Sequence, residues 1–130
     1  HPASQYSGAH FDSTVIPLRP GLVLLNGLRC TENNYPSIFK NWDKIFFTDI
    51  VCTDTDDNGI ASNSIGLNLL SLNENTVIVD KNQKPLIKIL KQHGIDSIPL
   101  ELRHARTLGG GFHCVTLDLH REGKLEQYEF

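Results

Sequence analysis

With 130 residues, 39% of them hydrophobic, the chain has the size and composition of one globular domain able to bury a sizeable core. A formal charge of −3 and the lack of a basic cluster argue against nucleic acid, which demands a dense Lys/Arg footprint to neutralise phosphates. The longest apolar stretches, such as Leu22-Val23-Leu24-Leu25, fall far short of the ~20 residues that span a bilayer, and no signal-peptide pattern opens the chain, so no membrane partner is expected.

Residues 1–9 have turn chemistry and little to bury, and read as a loop. The chain begins at His1 and contains no methionine, so it reads as a piece of a longer protein. Phe11 to Ile16 and Leu22 to Leu25, joined by the turn signal Arg19-Pro20-Gly21, predict a β-hairpin. Tyr35, Ile38, Phe39 and Trp42 are at helical spacing, and Ile45 to Val51 returns to strand character. The order then recurs. Leu67 to Leu72 and Val77 to Val79 flank the turn Asn73-Glu74-Asn75, Pro85 opens a helix that Gly94 stops after His93, and Ile95 to Leu100 supplies a further strand. The helix sets Leu86, Ile87, Ile89 and Leu90 on an apolar side opposite Lys84, Lys88 and Lys91. A strand, strand, helix, strand unit repeating at roughly fifty residues suggests a propeller or other repeat array.

The run Gly109-Gly110-Gly111-Phe112-His113-Cys114 brings a nucleophile and a titratable neighbour behind three permissive backbone positions. The alternation of Cys114-Val115-Thr116-Leu117-Asp118-Leu119 predicts a strand that would give the bend a stiff base. Read on a strand, His10-Phe11-Asp12 sends His10 and Asp12 to one pocket and Phe11 to the core. Together with Cys114 they make a set for thiol chemistry: nucleophile, proton carrier and an anionic anchor for a cation. Other sites are weaker. Asp54-Thr55-Asp56-Asp57-Asn58-Gly59 opens like a calcium loop, but Ile65 occupies the twelfth position where a bidentate Glu should close the cage. Cys30, Cys52 and Cys114 lack zinc spacing, and their odd number and wide separation read as reduced thiols in a cytoplasmic protein. No cofactor or metal is expected.

These words resemble a family. His10-Phe11-Asp12-Ser13-Thr14 resembles the His-x-Asp strand of guanidino-group modifying enzymes, and Leu108 to Thr116 resembles the cysteine motif of glycine amidinotransferases, in their C-terminal part. Pro20-Gly21-Leu22-Val23-Leu24, Val77-Ile78-Val79-Asp80 and His93-Gly94-Ile95 fall at the family's spacing. The resemblance implies an α/β fold, a partial pentein-like propeller with about two ββαβ modules of a five-module parent. Residues 1–9 would continue from earlier modules, and 10–130 would hold the C-terminal ones, as repeats over 10–51 and 66–130 joined by the acidic loop.

By resemblance, Cys114 attacks the guanidinium carbon of arginine and carries a covalent amidino group toward a small amine acceptor such as glycine. His10 exchanges protons with the amines, Asp12 binds guanidinium nitrogens, and Arg29 and Ser62 hold substrate carboxylate. Ala61 stands where the family has a second serine, which bears on the identity of donor or acceptor. The carboxylate that orients the family's histidine comes from modules before His10, so the isolated chain is expected to be weakly active or inactive. Three alternatives are an arginine deiminase-like hydrolase, in which water replaces the amine, a noncatalytic assembly module, and a redox-sensing thiol protein resting on Cys114 beside His113. Half a propeller exposes strand edges and apolar faces, which favours self-association.

Overall fold

Val15 and Ile16 begin a strand because their β-branched side chains suit a pleated, half-buried surface. In the computed structural model, which describes residues 10–52 and 63–122, β1 (Val15–Arg19) pairs antiparallel with β2 (Leu22–Asn26). Pro17 is exposed on the outer strand beside the register shift between Pro17 and Arg19, where its missing N–H leaves no ladder bond unmade. Gly21 turns the hairpin with φ +81, the left-handed conformation a Cβ resists. β3 (Asp43–Phe47) then joins β2 in parallel, giving the order β1-β2-β3.

The second sheet repeats this plan. β4 (Leu70–Asn73) pairs antiparallel with β5 (Thr76–Asp80), and β6 (Asp96–Leu100) lies parallel to β5. Both hairpins carry a register shift at the same place, before the pairs Arg19↔Leu22 and Asn73↔Thr76. Helix α1 (Lys84–Gln92) makes the crossover from β5 to β6, with Pro85 in its first turn and Gly94 at φ +73 just past its end. A second, short helix, α2 (Ala105–Leu108), precedes the glycine run.

Alternation along the strands divides the core in two. Ile16, Leu18, Leu22, Leu24, Ile45 and Phe47 face the second sheet, where they meet Leu67, Leu69, Val77 and Val79 together with Leu86 and Leu90 of α1. Val15, Val23 and Leu25 point the other way, onto Cys30 and Phe39, with Tyr35, Ile38 and Trp42 packed alongside. β2 is therefore buried on both faces, which explains its unbroken apolar run Leu22-Val23-Leu24-Leu25.

Several expected elements take other forms. Phe11–Ser13 is a 3₁₀ turn, and Phe11 is 52% exposed, so His10 and Asp12 do not share a strand face. Its cause is local. Ser13 Oγ and Thr14 Oγ1 both donate to the His10 carbonyl, at 3.3 and 2.9 Å, bending the chain where a ladder would need it extended. Between Tyr35 and Trp42 only Ser37–Phe39 is helical, as a 3₁₀ turn, since Pro36 restricts the residue before it and lacks a donor; the four spaced aromatic and apolar side chains still reach one cluster. The strand expected at Ile45 to Val51 is β3, shifted to Asp43–Phe47, and β4 starts only after a 3₁₀ turn at Ile65–Leu67. Cys114 to Leu119 is not a strand. Val115, Leu117 and Leu119 are 73%, 82% and 91% exposed, because alternation alone does not make a strand without a neighbour to complete its hydrogen bonds. The acidic loop lies outside the described residues.

Asn26, fully buried at the end of β2, ties these parts together. Its Nδ2 donates to the Ser13 carbonyl at 3.2 Å and to Ser64 Oγ at 2.9 Å, while Oδ1 accepts from the Leu28 N–H at 3.0 Å. Removing it in Asn26→Ala strands the buried Ser13 carbonyl and Ser64 hydroxyl and takes away the partner of the Leu28 N–H. We expect a loss of about 2–3 kcal/mol in urea unfolding, with a change within about 0.5 kcal/mol counting against this junction.

Candidate active site

Asp12 projects from the turn Phe11–Ser13, which the Thr14 N–H closes onto the Phe11 carbonyl at 2.9 Å. Arg29 braces that turn from behind: Nη1 donates to Thr14 Oγ1 at 2.8 Å and approaches the His10 carbonyl at 3.5 Å. The facing wall is the glycine run. Gly109 reverses the chain with φ +75, and Gly111 lies so close to Asn68 that a Cβ there would sit 2.5 Å from Asn68 Cβ and 2.6 Å from its Oδ1. This close approach lets Asn68 hold the turn that follows. Its backbone carbonyl accepts from the N–H groups of Phe112 and His113, at 3.0 and 3.4 Å, and Oδ1 accepts from the Cys114 N–H at 3.1 Å.

The two walls meet at Asp12. Cys114 Sγ stands 2.9 Å from Asp12 Oδ2, and His113 Nδ1 is 3.2 Å from the same oxygen. Burial pushes the Asp12 carboxyl up, but the Cys114 thiol, the nearby Asn68 amide and the hydrogen bond and charge of the His113 imidazole outweigh it, leaving Asp12 below its ordinary value. For a carboxyl so depressed, the stabilisation it gives the fold is present above its unfolded value and fades as pH falls through the lower folded one. Cys114 moves the other way. Burial raises it first, and the Asp12 carboxylate raises it further by accepting its proton and opposing its charge, against smaller lowering effects from the Gly111 backbone and Asn68. The resting pair is a thiol donating to a carboxylate.

Asp12 and His113 also line an open cleft of about 460 Å³ whose other walls include Phe11, Leu70, Arg19 and Arg121. Such a pocket, with an anion at one wall and an exposed thiol beside it, suits a small planar cation. Among the described residues no group of three His, Cys, Asp or Glu side chains is placed to hold a metal ion.

Of the residues singled out in the sequence, Asp12 and Cys114 are in contact. His10 reaches the site region through its backbone carbonyl, and among the described residues its imidazole has no hydrogen-bond partner; the imidazole against Asp12 belongs to His113. Arg29 braces the His10–Thr14 segment, and Ser62 lies outside the described residues. Two contributors went unread in the sequence. Thr14 links Arg29 to the turn, and Asn68 carries the nucleophile's backbone. A signal for Asn68 existed, since a polar side chain inside the apolar run Leu67-Asn68-Leu69-Leu70 must find partners once buried.

No protein-family model matches the chain. It is 47% identical over 126 residues to an inosamine-phosphate amidinotransferase of Streptomyces glaucescens, an alignment covering 96% of this chain and 36% of that protein. The mitochondrial glycine amidinotransferase of Xenopus laevis is 36% identical over 122 residues, covering 92% of this chain and 28% of that one. Among solved structures, an inosamine-phosphate amidinotransferase from Streptomyces griseus superposes with a TM-score of 0.89 at 44% identity, over 97% of this chain and 37% of its own. The chain thus spans about a third of the length of these relatives. No helix among the described residues is long and apolar enough to cross a membrane. Across nearly all of its own residues the chain is therefore homologous to the amidinotransferases, and it carries about a third of their pentein fold.

Proposed function

We propose that these residues form part of the active site of an amidinotransferase that moves the amidino group of arginine to an amine through Cys114. The observation that carries this is the 2.9 Å contact between Cys114 Sγ and Asp12 Oδ2. A guanidinium held on Asp12 by two parallel N–H donors would bring its carbon to the sulfur. Its positive charge would also offset the carboxylate that keeps the thiol protonated, so the nucleophile becomes competent when substrate arrives.

The thiol proton passes to an imidazole, and the sulfur bonds to the guanidinium carbon. The bond from that carbon to the arginine side-chain nitrogen breaks, and the imidazole returns the proton to the departing ornithine amine. The acceptor amine then attacks the amidino carbon, yields a proton to the imidazole, and releases the sulfur as a thiol. His10 fills the imidazole role by resemblance. His113 is a second reading, favoured by its Nδ1 lying 3.2 Å from Asp12. Comparing His10→Gln with His113→Gln assigns it: the variant that stops both turnover and formation of the Cys114 adduct, while Cys114 is still alkylated by iodoacetamide, has lost the proton carrier.

For the acceptor, the similarity to proteins named for inosamine phosphate, at 44–47% identity against 36% for a glycine amidinotransferase, supports an amino-cyclitol phosphate over glycine. We place the chemistry in the reducing cytoplasm, where an exposed thiol nucleophile persists. The 130 residues alone are proposed to turn over weakly or not at all, since among the described residues Asp12 is the only carboxylate in hydrogen-bond contact with Cys114 or His113, and it would be occupied by the guanidinium. The test is to incubate the whole protein carrying this chain with arginine and map the Cys114 peptide by mass spectrometry. A gain of one amidino group on Cys114, transferred on adding inosamine phosphate, is the expected result. Citrulline as the product would replace transfer with hydrolysis, and an unmodified Cys114 with continued turnover would remove it as nucleophile.

A further inference from the structure

Asn68 presents an anomaly. Its side chain is 1% exposed, its Oδ1 is used by the Cys114 N–H, and its Nδ2 is buried with no hydrogen-bond partner. A buried donor left unmade costs roughly 1–3 kcal/mol, so folded chains rarely keep one without a use. The amide cannot turn away to find a partner, because Oδ1 is fixed by Cys114 and the side chain is wedged against Gly111. It lies near both Asp12 and Cys114, and its influence favours the charged form of each.

We infer that Asn68 is a positioning residue with two separable duties: Oδ1 splints the turn that carries Cys114, and the idle Nδ2 is the donor that receives the sulfur once it becomes a thiolate. In the resting state the thiol spends its proton on Asp12, and the sulfur lacks the charge that would draw the amide. When the proton leaves, the sulfur becomes a full acceptor, and the waiting donor offsets part of the repulsion from Asp12. The titratable groups facing Cys114 are Asp12 and His113, both retained in the variants below. This inference builds on Cys114 as the nucleophile, yet it is measurable without substrate.

The experiment follows iodoacetamide alkylation of Cys114 against pH in the full protein, resolved by peptide mass from Cys30 and Cys52. Asn68→Asp keeps an acceptor for the Cys114 N–H and replaces the donor by a second carboxylate oxygen; Asn68→Ala removes both. Asn68→Ala, which adds no charge, should raise the apparent thiol pKa and slow alkylation at neutral pH about tenfold, one unit of pKa, together with a lower thermal transition, since it loses the splint as well. Asn68→Asp should raise the pKa further, since a second carboxylate also repels the thiolate, and should lower the thermal transition because that carboxylate is buried beside Asp12. A titration for Asn68→Ala that matches the parent overturns the inference, and Asn68→Leu, which fills the same space without a donor or a charge, decides if Asn68→Ala fails to fold. An unmodified Cys114 during arginine turnover would instead overturn the proposed function while leaving the titration result standing.

Discussion

Asp12→Asn is expected to drive two readouts of one cysteine in opposite directions. With the carboxylate gone, the group that accepts the Cys114 proton and opposes its thiolate is gone too, so the raised thiol pKa falls and alkylation near neutral pH accelerates. Transfer from arginine should nonetheless drop by between about thirtyfold and several thousandfold, because the guanidinium loses its charged anchor, a pairing worth roughly 2–5 kcal/mol when partly buried. Faster alkylation with slower turnover is a pattern that simple unfolding does not give. Should both rates fall together, Asp12 would be a structural carboxylate and the proposed site would have to be abandoned.

Gly111→Ala carries the second large effect. The added Cβ would sit within 3 Å of three Asn68 side-chain atoms, and Asn68 has no room to retreat. The turn must move, taking Cys114 with it. Overpacking of this kind destabilises by about 1–3 kcal/mol, and a shift of about 1 Å in a nucleophile lowers turnover by roughly a hundredfold. Gly94→Ala is the matched control: it also adds a Cβ at a glycine, but nothing lies within 4 Å of it, so it should lower stability through its positive φ and spare turnover. Equal turnover losses in both would trace the effect to stability alone.

The strands and the crossover helix were legible because their signals are local. Leu22 to Leu25, Val77 to Val79 and the Pro85 to Gly94 segment each contain both their periodicity and their stops. The turn at Asp12 was not, because two hydroxyls on Ser13 and Thr14 override the β-branched run that follows. Nor was the region after Cys114, whose alternating pattern describes how a strand would be used rather than whether a neighbour exists. For the site, residue types gave Asp12 and Cys114, which the fold brings into contact. They gave His10 as the imidazole, whereas the one beside Asp12 is His113. Asn68 escaped notice because what makes it matter is a turn 46 positions further along.

The contact between Cys114 and Asp12 closes a chain separation of 102 residues, while each hairpin and each parallel pair forms between near neighbours in sequence. Closing a long loop yields nothing until both ends are already shaped, so the sheets and α1 must assemble before the thiol finds its carboxylate. The site is then expected to be the last part of the molecule to appear and the first to come apart. Thiol reactivity therefore registers the earliest loosening of the fold, at denaturant concentrations where the backbone still has the ellipticity of the native protein.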